Sequence, residues 1–152
     1  MGVQGQATVE AAVLLPVLFV CLLALLQPAI LLYDRLVMEA AAADACRMLV
    51  TRAPSQGIPD EVYREDVIRH LGAIPPQDSF HVHEGGCSWQ IELDGNEASA
   101  SVSVTIRNQV RPLPLFDQGF ALAGMTNGAG NVEITVTRTM PAQPEWAAGR
   151  LP

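Results

Sequence analysis

The sequence predicts an α+β fold: one long N-terminal helix, half transmembrane and half outside, packed on a small antiparallel β-sheet. Three observations lead there. Ala11 to Tyr33 is a run of 23 residues without a charge. As a helix rising ~1.5 Å per residue it covers roughly 34 Å, enough to cross a hydrocarbon core of ~30 Å. Asp34 to Thr51 then holds no Gly or Pro and keeps a helical rhythm. From Phe80 onward the apolar residues recur at every second position instead.

The chain divides into a short N-terminal stretch (1–5), a transmembrane helix (6–33), its continuation (34–51), an extracytoplasmic α+β head (52–140) and a flexible tail (141–152). Glu10 is the one charge at the entrance of the apolar run, four residues after Gln6. At the membrane edge a carboxylate costs less than at the centre. In the first turn of a helix starting near Gln6, the dipole favours it. Pro16 and Pro28 each remove one helical N–H, so kinks are expected there. Past the membrane, Leu36, Val37, Ala40, Ala41, Ala45, Met48 and Leu49 recur at steps of three and four. They form the face that a sheet would cover.

Ala53 to Pro59 reads as a loop. Asp60 to Leu71 reads as a short amphipathic helix, with acids early and Arg69 and His70 late. Val62, Val67, Ile68 and Leu71 are its expected core face. Three strands of a meander are expected next. In the first, Phe80 and Val82 alternate with His81 and His83. In the second, Cys87, Trp89, Ile91 and Leu93 alternate with polar residues. The third runs from Ala98 to Arg107, after the Asp94-Gly95-Asn96 turn. Its greasy face calls for a helix. The stretch 110–130 reads as irregular, with a short helix near Phe116–Ala123. Val132, Ile134 and Val136 mark a last strand.

The residues Gly5-Gln6-Ala7-Thr8-Val9-Glu10 followed by Ala11-Ala12-Val13-Leu14-Leu15-Pro16 resemble the start of a type IV prepilin. More narrowly, they resemble the TadE-like family, pilin-like proteins of tight-adherence (Flp) pilus systems. The resemblance covers about the first third of the chain. It implies a pilin-like architecture, cleavage by a membrane prepilin peptidase between Gly5 and Gln6, and work beside an assembly ATPase and platform proteins. It also implies a role for Glu10 as the acid at mature position five. A new α-ammonium on Gln6 would meet Glu10 of a neighbouring subunit and hold register, because either charge left desolvated and alone is expensive. The expected partners are thus the membrane, the prepilin peptidase, other pilin subunits and the pilus assembly machinery. The expected location is the cytoplasmic membrane, single-pass, with the head extracytoplasmic. Arg35 is the nearest cation to the apolar run. Charge alone would turn the C-terminal side inward; the exported look of the later domain outweighs it.

Composition narrows the function classes. The net charge of −7 argues against nucleic acid as a partner. All nine basic residues are Arg, so lysine isopeptides and lysine Schiff bases are excluded. No phosphate-cradling glycine loop, serine elbow or Cys-x-x-Cys pair is present. The expectation is a protein that is not an enzyme and takes no cofactor. His81 and His83 share a strand face on this reading, but too few ligands accompany them for a metal. A solvated polar face is the expectation there. Cys21 reads as a small apolar residue of the membrane run. Cys46 and Cys87, both outside the membrane, are candidates for a disulfide across a loop of about 40 residues. The leading reading is a structural subunit. The competing readings are an uncleaved, membrane-anchored binding module and a cleaved secreted protein.

Overall fold

A computed structural model describes residues 3–51, 60–83, 89–95 and 99–142, with side chains from Ala7 onward. Helix α1 runs from Val3 to Thr51 as one element, through both Pro16 and Pro28. Helix α2 spans Asp60–Leu71. Strands β1 (Gln90–Asp94), β2 (Ser101–Val110) and β3 (Val132–Pro141) form one antiparallel sheet in the order β1-β2-β3. Helix α3 (Asp117–Leu122) lies in the long β2–β3 connection.

The sheet's register follows its alternation. Ile91 pairs with Ile106 and Leu93 with Val104, while Ile106 also pairs with Val136 and Val110 with Val132. These residues face α1. The opposite face is hydroxyl-rich and exposed. There Thr105 and Thr137 share a hydrogen bond of 3.0 Å, and Thr139 donates to Ser103 at 3.3 Å.

The outer half of α1 packs against the sheet and against α2. Its buried stripe is Met38, Ala41, Ala42, Ala45, Cys46 and Leu49, a stripe rich in small side chains. Alanines let the helix axis approach the sheet closely, and the larger Met38 and Leu49 fill the two ends. This corrects the expected face: Leu36 and Ala40 are exposed, and Met38, Ala42 and Cys46 replace them. Hydrophobic spacing alone could not choose between two overlapping stripes of Ala and Leu. The stripe that wins is the one that the sheet and α2 cover together.

In α2 the buried residues are Tyr63, Val67 and Leu71, spaced four apart. Val62 and Ile68, expected inside, are exposed. Tyr63 supplies more area than Val62 while sitting on one straight i, i+4 row with Val67 and Leu71, so the helix settles with that row inward.

The first expected strand does not form over residues 80–83. The amides of Phe80 and His81 donate instead to Gln77 O, at 2.8 Å each, closing a turn after Pro75-Pro76. From this stretch Val82 N donates to Gln109 O of β2. The expected final strand does form, and pairs with β2 on the side away from β1.

Gly95 ends β1 with φ +86°, and a Cβ there would meet Ser101 O at 2.5 Å. Gly95→Ala is therefore expected to destabilise the head by about 1–3 kcal/mol, from backbone strain plus the clash. Denaturant unfolding in detergent checks it.

Candidate functional site

From Ala7 to Leu26 every side chain is exposed. Twenty residues of helix cover roughly 30 Å, so the bare stretch matches a bilayer core by length and composition. One N-terminal apolar helix of this kind fits single-pass membrane anchoring.

The head's grip on α1 begins at Gln27. Its Oε1 accepts a hydrogen bond from Leu113 N at 2.8 Å, and its side chain is fully buried. Ile30 is buried one turn further, and Tyr33 donates its hydroxyl to Ala73 O at 2.8 Å. The Tyr33 ring meets Phe80 edge-on, with centroids 6.2 Å apart. Higher still, Arg138 reaches Glu39 at 3.3 Å and Cys46 Sγ donates to Arg138 O at 3.3 Å. The Val110/Val132 end of the sheet thus points toward the bare helix, and the Ser101/Pro141 end away from it.

Asp34 is buried on the same face as Gln27, two turns along. Among the described residues neither of its carboxylate oxygens has a hydrogen-bond partner. Burial raises its pKa from 3.8 to about 7, because removing a carboxylate from water penalises the charged form.

Glu10 is exposed on the bare stretch. Because α1 starts at Val3, Glu10 stands beyond the first turn rather than in it. Gly5 and Gln6 are part of the same helix. No described side chain of the head lies over this segment, so its apolar surface is open on all sides.

Of the two histidines expected on a solvated face, His83 is exposed and His81 is not. His81 is buried and stacks on Trp89, with ring centroids 3.9 Å apart and planes 8° from parallel. Its Nδ1 and Asn108 Oδ1 are 2.6 Å apart, and Asn108 Nδ2 donates to Phe80 O at 2.8 Å. Burial, above all, holds His81 below the usual histidine pKa; the bond to Asn108 opposes this and nearby His83 adds to it. Asn108 occupies a core-facing row of β2, and His81 is what makes it tolerable there. Among the described residues no group of three or more His, Cys, Asp or Glu is placed to hold a metal.

Cys21 is exposed on the bare helix and Cys46 is a buried free thiol. Burial pushes the Cys46 thiol up, which opposes a nucleophilic role. Its candidate partner Cys87 lies outside the described residues, and so does the tail beyond Ala142.

Residues 5–47 match the model of a family described as TadE-like protein. No curated protein and no solved structure matches the chain. The matched segment takes in the Gly5–Glu10 entrance, the whole bare stretch and most of the helix that carries the head. Over that segment, a little over a quarter of its length, the chain is similar to TadE-like proteins.

Proposed function

We propose that the protein is a minor pilin or pseudopilin of a tight-adherence pilus, processed by the prepilin peptidase between Gly5 and Gln6. It has no catalytic role on this reading. The observation that carries it is the bare stretch Ala7–Leu26, with one exposed carboxylate, Glu10, at its open end. A lone anchor needs apolar length. It does not need a carboxylate at a fixed step from a glycine, at the lipid edge.

Cleavage would make Gln6 the first residue of the helix. Glu10 would then stand in the first turn, where the dipole favours it. The new α-ammonium would be the cation that Glu10 of a neighbour meets when bare helices pack side by side. The head would face the extracytoplasmic side and present the Ser/Thr-rich sheet face. The peptidase, sister subunits and the assembly machinery are the partners on this reading.

Glu10→Ala tests it. The variant is expected to insert and accumulate in the membrane at normal levels, while its recovery in sheared pili falls at least about tenfold, the loss expected of an unpaired buried charge. Wild-type recovery in pili would overturn the register role of Glu10.

A further inference from the structure

The β2–β3 connection carries an exposed apolar surface that the pilin reading does not use. Between Pro112 and Gly130 the only charge is Asp117. Leu115 is 60 % exposed, Leu122 90 % and Met125 55 %. Phe116 and Phe120 lie between them, half-buried, with centroids 6.4 Å apart. Single exposed leucines are ordinary on a protein surface. A nearly neutral run with several large apolar side chains facing out is not.

Its height along α1 decides what covers it. Leu113 N bonds Gln27 Oε1, and Leu113 O accepts from both Phe116 N and Asp117 N. Leu115 and the start of α3 are therefore tied within one turn of the level where the bare helix begins. That level is the lipid boundary if Ala7–Leu26 fills the hydrocarbon. Arg111, at the start of the connection, is ion-paired with Asp78.

We propose that this connection is a membrane-interface contact, with Leu115, Leu122 and Met125 seated in the lipid surface beside the point where α1 leaves the bilayer. The occupant is lipid rather than a polar ligand because the surface lies beside the level where the bare stretch of α1 ends and offers almost no charge. A second contact beside the helix fixes the head's tilt, which a single helical stalk would leave free to swing. Because the surface is neutral, the contact should not need anionic lipid and should resist salt, unlike a basic patch.

The inference rests on the membrane-spanning reading of α1, and the test separates the two. The full chain is placed one copy per nanodisc in phosphatidylcholine with brominated acyl chains. Tryptophan is added singly at V17W on the bare helix, L122W in α3 and V62W at the far end of α2. The emission of the parent protein is subtracted. V17W and L122W should each lose emission about twofold, as residues within the acyl boundary do, and V62W should lose none. Quenching of V17W without L122W would overturn the interface contact and leave the spanning helix in place. Quenching of neither would overturn both. A blue shift of L122W seen only in discs holding two or more copies would assign the surface to a neighbouring subunit instead, and the lipid contact would fall.

Discussion

As pH rises from near 4 to near 7, detergent-solubilised protein is expected to lose stability, and Asp34→Asn is expected to remove most of that loss. Asp34 is fully buried without a hydrogen-bond partner among the described residues, and its pKa is raised from 3.8 to about 7. The folded state therefore holds a proton that the unfolded chain has released throughout that window. Stability falls wherever the native state binds more protons than the unfolded one. The full loss corresponds to roughly 4 kcal/mol and is reached above the folded pKa. His81 works the other way. Its lowered pKa means that the unfolded chain binds the extra proton, so its contribution rises as pH climbs toward 6.5. The two effects overlap, and the difference between wild type and Asp34→Asn isolates the first. Near pH 4 the two proteins should be about equally stable, and near pH 8 the variant should be the more stable by a few kcal/mol. Parallel pH profiles would mean that the carboxylate is paired in solution.

The second large effect lies in the sheet. Ile106→Ala is expected to cost about 3–5 kcal/mol and Thr105→Ala less than about 1 kcal/mol, although the two are neighbours on β2. Ile106 is fully buried, in the central strand, opposite Ile91 on one side and Val136 on the other. Its truncation leaves a cavity between the sheet and a helix face that is half alanine. Short, rigid side chains cannot swing in to fill it. Thr105 faces out and gives up one hydroxyl bond to Thr137. Urea unfolding followed by near-ultraviolet circular dichroism measures both. Equal costs would mean that the alternation does not report which face is covered.

Much of this was legible in the residues. The unbroken run into Thr51 specifies a helix longer than the membrane requires. The alternation from Val102 to Ile106 specifies the central strand and its buried face. The proposed role of Glu10 rests on spacing within six residues and on no distant partner. What could not be read depends on distant partners. Gln27 lies in an apolar run beside Pro28, yet its bond goes to Leu113, 86 residues away. Asp34 reads as a surface charge until the head covers it. Asn108 falls in a core-facing row and makes sense only once His81 is brought beneath Trp89. The apolar residues 115–122 were visible as such; their level along α1 was not, because the Gln27–Leu113 bond sets it.

Burial decides each of these cases, and burial is also what separates the two halves of α1. One half is wrapped by its own head, and the other is left for lipid or for other copies of the same helix. A subunit built this way should exist in two covalent forms, before and after trimming at the glycine. Intact mass and N-terminal peptide analysis of protein taken from its native membrane or from pili tests that most directly. The account predicts a mature chain that begins at Gln6. A chain that still carries Met1 to Gly5 inside assembled pili would contradict it.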